Sequence, residues 1–382
     1  MKLLKHLNIR SSSTLLFLAI LSLAGFFLVE NTKILKKSKW YDEKLEAALL
    51  SQKAEQAVKN YYLGDVEFVN NLNDPNETGL IGFEYSPITS ERGSFLAKSC
   101  TTNPNFAALV VQYLKELGAK EGDYIAVGMT GSFPALNISV CAALQTLKLN
   151  PVIISSVASS SWGANDPEFT WLDMATVLSD SGIIHFKPVA ASIGASQDIG
   201  GGLSSEGVGM IKDAIDRNHT ELIYFDNVQD DIDYRMKKYS DCANDKPIRA
   251  YINIGGGIAS LGSAANGTRL PPGLNKEITP QVFKEKKGVV YEMSRQGIPV
   301  IHMLDIPALA AGNDLPIKPI PLPLPGEGKL FVEKKYDLAV VGPVTFVLLA
   351  LIIFVIYQDR KNVRLGTEIL RSEQNSDNDL IV

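Results

Sequence analysis

Two uncharged apolar runs stand near the ends of the chain: 13–29 (STLLFLAILSLAGFFLV) and 338–357 (LAVVGPVTFVLLALIIFVIY). A helix crosses the hydrocarbon core of a bilayer with about 20 apolar residues, about 17 at the short end, so both runs are predicted to span. No small-x-small cleavage site follows the first run, which predicts an uncleaved anchor rather than a secretory signal peptide. Lysines and arginines stand on both sides of that run and give it no orientation. Behind the second run, Arg360, Lys361 and Arg364 outweigh Lys334 and Lys335 in front of it. The positive-inside rule then places residues 358–382 in the cytoplasm, residues 1–12 with them, and the centre of the chain outside.

Between the runs the rhythm changes. Residues 40–62 carry apolar positions at helical spacing and predict an amphipathic helix, expected to form a stalk over 30–62 above the membrane. At the other end, the prolines at 316, 319, 321, 323 and 325 predict an extended, semi-rigid spacer over 315–337. Residues 63–314 alternate short apolar runs with helical patterns. Asn103 followed by Pro104 reads as a helix start, continued to Gly118. Strands are predicted at 124–127, 152–156, 188–193, 222–225, 249–254 and 299–303. Helices are predicted at 132–147, 170–179, 205–217 and 232–239, with one more inside 280–296. This alternation, with short connections and no internal repeat, predicts an α/β fold: a mostly parallel sheet with helices on both faces, a Rossmann-like three-layer body flanked by two transmembrane helices.

Charge and cysteine content narrow the classes. Outside residues 1–39 and 334–382 the chain holds 24 Lys+Arg against 35 Asp+Glu, a net charge of −11. An acidic body of this kind excludes nucleic acid as a partner, because phosphates require a basic face. Cys100, Cys141 and Cys242 are too few and too scattered for a disulfide framework, and no C-x-x-C pair marks a zinc site. No H-E-x-x-H, Walker loop or G-x-G-x-x-G is present, so no metal and no cofactor is expected.

In α/β folds of this type ligands bind where strands end and loops enter helices. Four loops at such places are rich in Gly, Ser, Thr and Asn. In the first, Gly128, Thr130, Gly131 and Ser132 stand between a strand and a helix, a setting that lets backbone approach a ligand and offers free N–H groups to an anion. Ser132 has three readings here: a helix cap, a ligand contact, or a nucleophile on a sharp turn that only loosely follows G-x-S-x-G. The second loop offers Ser160, Ser161, Trp162 and Asn165, either as a binding surface or as a solvated loop with its tryptophan on the core. The third runs through Gly194 and Gly200–Gly202; the fourth holds Asn253, Gly255 and Gly256. His302 and Asp305 end the last predicted strand, as a general base beside the cleft or as a core histidine and a helix cap. Ser94 and Lys98 are four apart, whereas the S-x-x-K of penicillin-binding enzymes needs three, so that motif is not assigned.

Five stretches resemble the poly-gamma-glutamate system protein family of bacteria: TTNPNFAALVV from Thr101, GDYIAVGMTGSFPALNISV from Gly122, PVIISSVASSSWGANDPEFTWLDM from Pro151, AYINIGGGIASLG from Ala250 and IPVIHMLDIPALA from Ile298. The resemblance extends over roughly 79–328 and implies a component of the machinery that makes, exports or anchors poly-γ-glutamate at the cell surface. Its implied partners are the polymer or a γ-glutamyl chain end, the membrane subunits of the synthase, and the membrane. It carries over no catalytic residue. Beside an accessory, polymer-binding role stand two further readings. One is a hydrolase or transferase of γ-glutamyl amides with Ser132 as nucleophile and His302 as base; the other is a binding protein for a small anionic metabolite.

Overall fold

The computed structural model describes residues 11–64 and 73–378, which divide into two compact units. Numbered along the chain, the helices are α1 (Ser12–Asn31), α2 (Tyr41–Leu63), α3 (Phe95–Thr101), α4 (Phe106–Glu116), α5 (Pro134–Thr146), α6 (Trp171–Asp180), α7 (Ser205–Arg217), α8 (Val228–Cys242), α9 (Ile258–Leu261), α10 (Ala264–Arg269), α11 (Val289–Arg295), α12 (Ile306–Gly312) and α13 (Leu338–Asn378). The strands are β1 (Ile34–Lys37), β2 (Tyr124–Thr130), β3 (Asn150–Ser156), β4 (Asn165–Asp166), β5 (Phe169–Thr170), β6 (Ala190–Ser192), β7 (Glu221–Ile223), β8 (Ile248–Ile254), β9 (Gly273–Asn275), β10 (Val300–Met303) and β11 (Val332–Lys335).

One unit joins the two ends of the chain. Strands β1 and β11 form a short antiparallel ribbon, Ile34 opposite Lys335 and Lys37 opposite Val332. Helix α1 and the stretch Leu338–Ile369 of α13 are long and apolar enough to cross a membrane, and only 6% of each apolar window is buried, unlike the core helix of a globular domain. The two helices meet closely at Gly25, where a β-carbon would lie 2.9 Å from Val344 Cγ1. Small residues permit such backbone approach between apolar helices. Helix α13 runs well beyond residue 357, the predicted end of the second span.

The other unit is Ser38–Phe331. Its seven-stranded sheet has the order β7-β6-β3-β2-β8-β10-β9, parallel throughout except for β9, which pairs antiparallel with β10. Alternate strand residues serve opposite faces. Ile125, Val127, Ile153, Ile252, Ile254 and Ile301 join a core with α2, α4, α5 and α6 on one side. Ala126, Val152, Ile154, Tyr251 and Val300 pack with Ile232 and Tyr239 of α8 and with Met293 of α11 on the other. Helices therefore cover both faces, as the alternation of elements predicts.

Four expectations change. The helix over 41–63 is no stalk: Ala47, Ala48, Ala54 and Val58 are fully buried in the main core, and Ser51 bonds Ser139 of α5 across 3.0 Å. The proline-rich segment is no free spacer up to residue 331. Asn105 holds it by Nδ2 to the Leu324 carbonyl (3.1 Å), and Leu315, Leu330 and Phe331 are buried. The body thus spans more than residues 63–314. Helix α4 starts at Phe106 rather than at Pro104, because Asn103 Oδ1 takes the Asn105 N–H (3.0 Å) and closes a turn there.

Candidate functional site

The order of the sheet reverses between β2 and β8: from β2 the chain steps outward through β3, β6 and β7, then returns to the other side of β2. Loops diverge at such a switch point and leave a crevice at the carboxyl ends of the strands. A cleft of about 730 Å³ occupies that place, lined among others by Thr130, Ser132, Ser156, Ser196, Gly256 and Ser263. All four loops picked out in the sequence converge on this edge of the sheet.

The turn after β2 is fixed from several sides. Gly131 N–H donates to the Ser156 carbonyl (2.9 Å), and a β-carbon on Gly131 would lie 2.5 Å from the Val157 carbonyl oxygen, so only glycine fits. Asn137 Nδ2 holds the Thr130 carbonyl (3.0 Å) and Ala164 N–H the Gly131 carbonyl (2.8 Å). Ser132 does not cap α5, because Phe133 occupies the cap position and Pro134 opens the helix. Its hydroxyl instead accepts the Ser160 N–H at 3.0 Å and the Ser160 hydroxyl at 3.2 Å.

Behind Ser160 stands Lys98, from the short helix α3 whose cap is Ser94. Lys98 Nζ donates to Ser160 Oγ at 2.8 Å and to the Ser132 carbonyl, and lies 4.1 Å from the centre of the Phe133 ring. The side chain is only 2% exposed. Among the described residues no carboxylate pairs with it. Burial pushes its ammonium down to about 7, opposed only in part by Glu91. A chain of polar groups thus leads from the cleft inward: Ser132 on the lining, then Ser160, then a buried amine that is half neutral near pH 7.

The other predicted site residues divide sharply. Thr130 and Gly256 line the cleft. Gly255 closes the fourth loop at φ 86, where a β-carbon would lie 2.4 Å from Thr130 Oγ1. Gly128 is packed under Tyr251, its hypothetical β-carbon 2.1 Å from the Tyr251 hydroxyl. Asn165 is a structural clamp, bonded to both the N–H (2.8 Å) and the carbonyl (2.9 Å) of Phe83, and Ser161 N–H bonds the Glu91 carbonyl (3.0 Å). Trp162 packs edge-on to Phe95 rather than onto the cleft.

His302 is not among the cleft-lining residues and does not serve Ser132. It is 1% exposed, with Nδ1 3.0 Å from Asn253 Nδ2 and Nε2 3.2 Å from the Gly267 carbonyl. The amide donor at Nδ1 assigns the proton to Nε2, and burial pushes the imidazole down to about 4. Asn253 is committed to this pair, to the Gly255 carbonyl and to Ser260. Asp305, exposed, caps α12. Both belong to the framework.

Two features of the site lie outside the sequence expectations. Lys98 and Ser160 act as a unit that only the fold assembles. The second is the interior of the third loop, between its expected glycines, where Ala195, Gln197 and Asp198 all have left-handed backbones (φ 62, 56 and 66). Beneath it Arg235, fully buried, bonds Asp198 (2.6 Å), Asp231 (2.7 Å) and Ser192 (2.7 Å). Burial holds the Asp198 carboxyl above the usual range against the pull of Arg235, with Asp231 adding to the rise. Such strain persists where surrounding structure over-determines it. The charges on the lining are Glu91, Asp198, Glu285 and Lys287, and Lys287 is paired with Glu285 at 2.7 Å. Among the described residues no three His, Cys, Asp or Glu side chains converge as a metal site.

Comparison of the chain with family models, with curated proteins and with solved structures finds no match.

Proposed function

We propose that this protein is a membrane-anchored component of the poly-γ-glutamate machinery, and that its body holds the end of a γ-glutamyl chain outside the membrane. The process rests on the five stretches that resemble the poly-gamma-glutamate system family. Anchoring rests on the two apolar helices, and the outer location of the body on the charge bias behind the second.

The observation that carries the ligand reading is the lining of the cleft at the switch point. It offers hydroxyls, amides and glycine backbone, suited to amide and hydroxyl recognition, and its one lysine is already paired. A long polyanion gains nothing from such a surface along its length, so engagement is confined to a chain end.

In a polymer-producing host, loss of the gene should abolish or shorten surface polymer, and the intact gene should restore it. With the purified full-length chain, calorimetric affinity per molecule of γ-glutamyl oligomer should stay within about twofold from short to long chains. It should change by no more than about threefold between low and physiological salt, because few ion pairs form. Affinity that climbs steadily with chain length and collapses in salt would point to a polyanion groove and overturn the chain-end reading.

A further inference from the structure

We infer that Ser132, Ser160 and Lys98 form an acyl-transfer centre that opens an amide bond held in the cleft. This goes beyond holding a ligand and does not depend on which polymer supplies the amide.

The first argument is the contrast between two buried cations of the same body. Arg235 is surrounded by Asp198 and Asp231, as a structural cation should be. Lys98 is as deeply buried but faces a hydroxyl, a backbone carbonyl and an aromatic ring. A methionine would fill the same space without a desolvated charge, so stability gives no reason for a lysine there. An amine that easily loses its proton is, however, what a serine nucleophile needs, and serine–lysine pairs are a known solution to that need.

The second argument is order. Ser132 lines the cleft, Ser160 touches Ser132 at 3.2 Å, and Lys98 touches Ser160 at 2.8 Å. Hydroxyl hydrogens rotate, so the chain can run in either direction. With Lys98 neutral, Ser160 passes its proton to Nζ as it takes the proton of Ser132, and Ser132 Oγ bonds to the amide carbon. When the carbon–nitrogen bond breaks, Lys98 returns the proton through Ser160 to the leaving amine. The acyl group remains as an ester on Ser132. Water then attacks that carbonyl, gives a proton to Lys98 through Ser160, and releases a carboxylic acid as Ser132 regains its proton. An amine in place of water makes the same centre a transferase. The Ser160 N–H at 3.0 Å holds Ser132 Oγ in place throughout.

In this scheme Ser132 is the nucleophile and Ser160 passes protons to and from the reacting groups; Lys98 acts through Ser160. The full chain in detergent micelles, treated with a fluorophosphonate, tests the assignment by intact mass and peptide mapping. The expected result is one adduct, on Ser132, absent from Ser132→Ala. Its rate should rise with pH around 7, and Lys98→Met should lower it by about 100-fold or more and flatten the profile. Ser160→Ala should lower the rate with the pH dependence retained in weaker form. Melting curves identify any variant that has lost its fold. No adduct, an adduct elsewhere, or Lys98→Met labelled at the wild-type rate would overturn the centre. Because the probe carries no glutamate, an adduct without a polymer phenotype would retain this centre and remove the poly-γ-glutamate reading.

Discussion

Replacing Arg235 with methionine is expected to cost about 3–5 kcal/mol of folding stability, the usual consequence of stranding buried partners of an ion pair. Among the described residues Arg235 is the only ion-pair partner of Asp198 and Asp231, and it also holds Ser192 at the end of β6. Its loss removes the counter-charge that keeps Asp198 inside. The deficit should be smallest in acid, where Asp198 binds a proton, and should grow as pH rises. The sign follows from the carboxyl being held above its ordinary range: the folded state then binds more protons than the unfolded chain. The third loop, with its left-handed Ala195, Gln197 and Asp198, should become the first site of proteolytic cutting. Denaturant titrations of the full chain at pH 5 and pH 8 give both numbers. A variant as stable as the wild type at both values would show that the loop is held by its own backbone bonds.

Lys98→Met should act in the opposite direction on stability. The Lys98 ammonium has an ordinary value near 10.5 and is pushed to about 7 by burial. Between those values the unfolded chain binds the proton and the folded one does not, so stability falls as pH drops from 10.5 to 7 and is level below that. The penalty at neutral pH is about 4–5 kcal/mol at most. Removing it also removes two hydrogen bonds, at about 1 kcal/mol each. A net gain of about 1–3 kcal/mol is expected at pH 7, shrinking toward pH 10, alongside the loss of labelling described above. Thermal unfolding across pH checks it. A variant that is less stable at neutral pH would mean that Lys98 is a structural donor.

These two residues also show where the sequence is legible and where it stops. The strands with clean apolar runs are found within a few residues, because a parallel sheet buried on both faces needs continuous apolar segments. Helix α7 is read to the residue, since Ser204 caps it through the Gly207 N–H and Asn218 ends it. What fails is whatever depends on a distant partner. The helix over 41–63 has the same pattern on a stalk as on a domain, and only its small residues Ala47, Ala48, Ser51 and Ala54 hint at close packing. Strand β9 is three residues long and carries a glycine at φ 94, so no periodicity announces it.

The candidate site follows the same rule. Ser132 is legible because a strand, a glycine turn and a helix surround it in sequence. Its partners are not: Lys98 lies 34 positions before it and Ser160 28 positions after it. The one sequence signal for Lys98 is its place in an otherwise uncharged stretch, SFLAKSCTT, with no acidic residue three or four positions away. His302 stands at a strand end in the sequence, yet a histidine at the end of a fully buried strand has most of its ring inside the core.

The most direct measurement mixes the full chain with a γ-glutamyl oligomer, quenches in acid within seconds, and determines the mass of the peptide that contains Ser132. The account predicts a fraction of that peptide heavier by a whole number of glutamyl residues, absent from Ser132→Ala. A peptide of unmodified mass, from wild-type protein that still reacts with a fluorophosphonate and whose melting curve shows it folded, would contradict the claim that a γ-glutamyl chain end is the amide this cleft holds.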